Sequence, residues 1–168
     1  MSQRALRLSI VAVVLGTLLL PALAAYGQAT NSSQDQLMGT WVMDLAKSKF
    51  DPDPGIGQRT MTFTAKDAGF HCVINTIVSG GFAAGAVVSE YDAALDGKEH
   101  NTPDLAVATV TFNRTDANTI QRVGKRNGEQ VETYTMKFSN NGKTLTVTVN
   151  SKDPQGNLNN STQVYNKQ

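Results

Sequence analysis

From Gly39 onward, apolar and polar positions alternate in short runs. Leu145, Val147 and Val149 interleave with Thr144, Thr146 and Thr148; Tyr134, Met136 and Phe138 interleave with Thr133, Thr135 and Lys137; Met61 and Phe63 interleave with Thr60, Thr62 and Thr64. A period of two puts each apolar set on one face of an extended chain, so each run predicts a half-buried β-strand. No stretch long enough for a helix keeps a 3.6-residue period. The pattern predicts strands near 39–44, 58–65, 70–78, 82–94, 106–113, 118–125, 129–138, 143–151 and 159–166. Between them stand Asp67-Ala68-Gly69, Ser79-Gly80-Gly81, Asp96-Gly97, Asp116-Ala117-Asn118, Asn127-Gly128, Asn141-Gly142 and Gln155-Gly156. Gly, Asn and Asp supply the positive φ that tight hairpins require.

Turn signals this closely spaced predict sequential antiparallel hairpins rather than crossover helices. So many strands remove their edges by closing, which predicts an all-β fold, an antiparallel up-and-down β-barrel of about 8–10 strands able to enclose one small ligand. The connection 45–57 is irregular, because Pro52 and Pro54 exclude a regular helix or strand across it. A single helical turn over 45–50 precedes the prolines, and Phe50 is placed to pack beneath the barrel mouth. In 79–88, Gly80, Gly81, Ala83, Ala84, Gly85 and Ala86 leave almost no side-chain volume around Phe82. Such a stretch makes either a cavity or portal, or a poorly pairing edge.

Composition changes the picture first at the N-terminus. Arg4 and Arg7 precede an apolar run over 8–20, followed by Pro21 and small residues. A positive segment, an apolar segment and a small-residue site in that order predict a cleaved signal peptide over 1–29, with the cut after Ala29 or, alternatively, after Ala24. Pro21 interrupts the ~20 apolar residues that a membrane span needs. The expected organisation is therefore a signal peptide 1–29, a flexible segment 30–37 and a barrel domain 38–168. The mature protein is expected to be secreted or periplasmic, without membrane insertion. The full chain of 168 residues carries a formal charge of +1, and removing 1–29 leaves 13 basic and 14 acidic side chains. That balance offers no field for nucleic acid. Cys72 is the only cysteine, so no intrachain disulfide forms and burial alone holds the domain.

Several short pieces in fixed order carry a resemblance. Gly39-Thr40-Trp41 opens the first strand and Val164-Tyr165-Asn166-Lys167 closes the last. Between them lie Ser48-Lys49-Phe50, Asp96-Gly97-Lys98, Arg114 with Asp116 before Asn118-Thr119, and Asn141-Gly142-Lys143-Thr144-Leu145-Thr146-Val147. Over 38–168 the chain resembles the calycin β-barrels, lipocalins and fatty-acid-binding proteins, and in particular the lipocalin-like domains of exported bacterial proteins. The resemblance implies that Trp41 closes the barrel base. In fatty-acid-binding proteins an Arg two residues before the final-strand Tyr holds the ligand carboxylate, whereas here Gln163 precedes Tyr165. The 45–57 connection is also too short for their two-helix lid.

The chemistry-bearing residues are few. His71 and His100 show no metal-ligand spacing, so no metal or other cofactor is expected. Adjacent strand residues face opposite ways, which separates His71 from Cys72 and leaves Cys72 as a small buried hydrophobe. Asp51 and Asp53 are expected to serve turn chemistry. With no nucleophile or metal signature, no enzymatic activity is expected. The favoured reading is a binding barrel lined by Met43, Phe63, Tyr91, Phe112, Tyr134, Gln163 and Tyr165, holding a small hydrophobic or neutral, weakly polar ligand. Its alternative is a packed barrel whose loops bind a protein partner. The neutral-ligand expectation reverses if Arg122, Lys125 or Arg126 points inward.

Overall fold

The computed structural model describes residues 36–79, 84–103 and 107–168. Eleven strands are assigned within them: β1 (Gly39–Met43), β2 (Lys49–Asp51), β3 (Ile56–Lys66), β4 (Gly69–Val78), β5 (Gly85–Ala93), β6 (His100–Asn101), β7 (Thr109–Asp116), β8 (Thr119–Arg126), β9 (Glu129–Phe138), β10 (Thr144–Lys152) and β11 (Leu158–Lys167). Ten of them form one path, β5-β4-β3-β1-β11-β10-β9-β8-β7-β6, and β2 pairs with β11 off that path. Neighbours along the path are consecutive in sequence except at β1. There the meander is closed by the chain's two ends, since Trp41 registers with Met61 on one side and Lys167 on the other. The result is an all-β, antiparallel, nearly closed barrel.

The period of two sets which residues fill it. Leu145, Val147 and Val149 are buried while Thr148 is exposed. Trp41, Phe70, Phe112, Phe138, Ile120 and Tyr165 are almost wholly enclosed. Their rings meet at an angle, with centroids 5.1 Å apart for Phe70–Phe112 and 5.7 Å for Trp41–Phe138, within the favourable range for aromatic pairs. One end of the barrel is thereby packed solid. Leu37, expected within the flexible lead-in 30–37, is fully buried there, and Trp41 Nε1 donates to its carbonyl at 2.9 Å.

Two short strands depart from the sequence pattern. Instead of one helical turn over 45–50, a 3₁₀ turn covers Leu45–Lys47 and a strand follows at Lys49–Asp51. Three residues are too few for an alternation to register. They are extended because β1 pairs only with 165–167 of β11, which leaves the β11 edge at 160–162 open to β2. The strand stops at Asp51, before Pro52, which lacks the N–H to continue a ladder. His100, expected at a solvated hairpin end, lies in β6 opposite Val110, with Nε2 2.9 Å from the Asp96 carboxylate. The signal segment, Gly80–Ala83 of the small-residue stretch and the start of the strand expected at 106 lie outside the described residues.

Candidate functional site

Inward-facing positions of eight strands, β3, β4, β5 and β7 to β11, enclose a cavity of about 190 Å³. Of the seven residues expected to line an interior, Phe63, Tyr91, Phe112, Tyr134, Gln163 and Tyr165 do so. Met43 is buried but does not reach the cavity. Met61, Ile74, Met136 and Val147 complete much of the apolar wall. A second space of about 370 Å³ adjoins it at the open end, roofed by Phe50, Pro52 and Pro54. The two share Arg59, Thr76, Tyr134 and Gln163. These four residues mark where lumen becomes mouth.

The polar residues of the cavity fall into two groups. The first joins β3, β4 and β11. Arg59 Nε donates to Thr76 Oγ1 at 2.9 Å and Arg59 Nη1 to Gln163 Oε1 at 3.4 Å, while Tyr165 Oη donates to the same Gln163 oxygen at 2.6 Å. Gln163 Nε2 donates in turn to Ser161 Oγ at 2.9 Å. Gln163 is therefore largely engaged with protein partners and serves as the hub of a network. Arg59 makes no ion pair with a described acid.

The second group joins β8 and β9. Arg122 Nη1 donates to Glu132 Oε1, and the guanidinium lies 4.5 Å from the Tyr134 ring centroid. Both side chains line the cavity, and only 10% and 11% of their surfaces are exposed. Arg122 pairs in register with Tyr134, and Glu132 with Gly124. A Cβ at Gly124 would sit 2.5 Å from Glu132 Cγ and Oε1, so the missing side chain provides the room in which Glu132 lies. Arg122 Nε is buried and has no hydrogen-bond partner among the described residues.

Two of the three cations named from sequence as able to turn inward do not line the cavity. Lys125 Nζ lies 2.6 Å from Glu99 Oε1, and Arg126 Nη2 donates to the Asp153 carbonyl at 3.4 Å. Arg122 does line it, and Arg59, which sequence reasoning passed over, supplies a second cation. An interior without a cation was the premise of the neutral-ligand expectation, and that premise is corrected. The signal was present, because Arg59 shares the parity of Met61 and Phe63, and Glu132 that of Tyr134 and Met136.

Burial tunes the remaining titratable groups. It pushes the Cys72 thiol up to about 12, against the opposing pull of Tyr91 and Arg122. It also raises Tyr91, with the nearby Cys72 adding to the effect, and raises Tyr165 against the opposing charge of Arg59. At neutral pH Tyr91 and Tyr165 line the lumen as neutral hydroxyls, and Cys72 is a neutral thiol in the core. His71 lies on the outside, with Nδ1 2.8 Å from the Asp92 carboxylate, while Cys72 faces in. Asp53 accepts from the Gly55 amide at 2.9 Å, which is turn chemistry.

No protein-family model matches the chain, and no curated protein matches it in sequence. Solved structures do. As-p18, described as an extracellular fatty acid binding protein, aligns with a TM-score of 0.53 at 17% identity, covering 80% of this chain and 97% of that one. A zebrafish ileal bile acid-binding protein complexed with cholic acid aligns with a TM-score of 0.46 at 9% identity, covering 79% of this chain and 99% of that one. At 17% identity the likeness to As-p18 speaks to fold alone: both chains form an antiparallel β-barrel of the same kind.

Proposed function

We propose that the protein is an exported binding barrel that carries one small, mostly apolar molecule with a polar end, and that it performs no catalytic step. The observation that carries this reading is the enclosed space, about 190 Å³ of aromatic and aliphatic lumen continuing into a mouth of about 370 Å³. A barrel packed solid, with function confined to its loops, has no such space. Pockets of this kind take their affinity from apolar walls and their orientation from a few polar groups. Phe63, Tyr91, Phe112 and Met136 supply the walls here, and Arg59 with Thr76, Gln163 and Tyr165 supplies the polar station. Because Arg59 has no acidic partner among the described residues, an anionic end placed beside it offsets its own desolvation. The printed description of As-p18 as a fatty acid binding protein supports the same ligand class. Export rests on the order of segments in 1–29.

Native mass spectrometry of the protein recovered from its host's exported fraction tests both parts. The expected mass is that of a chain beginning at Thr30, carrying a small-molecule adduct. Titration with a medium-chain alkanoate and its methyl ester then follows. The acid is expected to bind about tenfold tighter than the ester, with the difference removed by Arg59→Met. No adduct, and no binding of either probe, overturns the reading.

A further inference from the structure

The polar station at Arg59 does not sit at the rim of the barrel. Along the β3–β4 pairing, three inward layers follow one another toward the mouth: Met61 opposite Ile74, Arg59 opposite Thr76, and Ile56 opposite Val78. Parity with Arg59 would turn Ile56 outward, and the register shift between Ile56 and Gln58 returns it to the inside. A polar layer thus lies between two apolar ones, at the junction of the lumen of about 190 Å³ with the mouth of about 370 Å³. Beyond Arg59 the mouth is walled by Ile56, Val78 and Val149 and roofed by Phe50, Pro52 and Pro54. Arg59 is half-buried and lines both spaces. Thr76 and Gln163 take two of its N–H groups, which leaves donors to spare on the guanidinium. None of its nitrogens is among the buried atoms that lack a partner, so the spare donors are open to the space around them.

We infer that the ligand's anionic group is a branch point and not the tip of a single chain: a singly charged oxyanion, carboxylate or phosphodiester, held at Arg59 with one apolar arm in the lumen and a second in the mouth. The inference rests on the binding reading above and deepens it by naming the class of molecule. A straight-chain anion seated at Arg59 fills one space and leaves water against the apolar walls of the other, surface that a second arm covers. Sliding such a chain to seat its charge elsewhere does not help, because Arg122, the other cation lining the lumen, is already paired with Glu132. Thr76 and Gln163 hold the guanidinium at the junction of the two spaces, so the charge of the ligand is held there too. Either oxyanion offers two oxygens to the planar set of donors on Arg59.

The test uses dodecanoate and its isomer α-butyloctanoate, which share one carbon count and one charge, with dihexyl phosphate as the phosphodiester of equal carbon count. The better of the two-armed probes is expected to bind the wild type about tenfold tighter than dodecanoate, the effect of about two further methylenes taken out of water. Which of them it is identifies the oxyanion. Arg59→Met is expected to weaken that probe by about tenfold or more. Phe50→Ser and Val78→Asn each make the mouth polar and are expected to remove most of the preference for two arms over one. The two variants change different strands, so either serves if the other does not fold. Dodecanoate binding as tightly as both two-armed probes, or more tightly, overturns the inference and leaves the binding reading standing. So does a preference that survives undiminished in the mouth variants, or a two-armed probe whose affinity is unchanged in Arg59→Met. Failure of all three probes to bind the wild type overturns both.

Discussion

Trp41 ties three distant parts of the chain through one ring. Its Nε1 donates to Leu37, its face lies 5.7 Å from Phe138 on β9, and Lys167 Nζ sits 5.2 Å from its centroid. Truncation removes a fully enclosed aromatic at the packed end of the barrel and leaves a void that β1, held on both edges, cannot collapse to fill. Trp41→Ala is therefore expected to cost about 3–5 kcal/mol, measured by urea denaturation. A loss below ~1 kcal/mol would mean that the ring contributes little to the core. The same scale shows where sequence reasoning stopped short in the lumen. Phe63, Tyr91, Phe112 and Tyr134 were legible because an apolar residue in an alternating run has one reasonable face. Arg59, Arg122 and Glu132 obey the same alternation, and Arg122 is named from sequence as able to turn inward, but alternation alone does not place a charge inside, since a lone charge costs too much to bury. Burial became possible through Thr76, Gln163, Tyr134 and the side-chain-free Gly124, partners that come from other strands and cannot be located before the strands are paired.

At the scale of elements, the hairpin meander was legible because each strand carries its own alternation and each turn its own chemistry. Asn127 and Gly128 both take positive φ, +54° and +80°, as a tight two-residue hairpin between β8 and β9 requires. β2 and β6, of three and two residues, were not legible, because their extended form comes from an open neighbouring edge rather than from their own sequence. Two glycines separate local from tertiary demands. A Cβ on Gly128 meets nothing within 4 Å, so Gly128→Ala is expected to cost about 1–2 kcal/mol from the left-handed backbone alone. Gly69 has no positive φ, but a Cβ there would lie only 2.2 Å from the Ala93 carbonyl oxygen. β4 and β5 would have to part, and Gly69→Ala is expected to destabilise by more than Gly128→Ala. Thermal denaturation of the two variants checks the order, and the reverse order would place the close approach of β4 and β5 in error.

For the whole molecule, stability rests on one continuous core joined by the pairing of β1 with β11, without a disulfide to limit the unfolded chain. That core holds three weak acids, Cys72, Tyr91 and Tyr165, all with pKa values raised chiefly by burial. Their effect on stability has a definite sign. Below pH 9 the thiol is protonated in both folded and unfolded chains, so its contribution is fully present. Above the ordinary thiol value of 9.0 the unfolded chain releases a proton that the folded chain keeps until about 12, so rising pH favours unfolding. The tyrosines join from their ordinary value of 10.0 upward. Unfolding free energy is therefore expected to fall as pH rises above 9, approaching about 1.4 kcal/mol per pH unit for each group engaged. Cys72 acts first, which makes its share separable. In Cys72→Ala the decline should begin nearer pH 10, with the slope between 9 and 10 largely removed. Urea denaturation of both proteins across pH 8 to 11 reads this directly, and identical slopes between pH 9 and 10 would show that the thiol is not held neutral by the core.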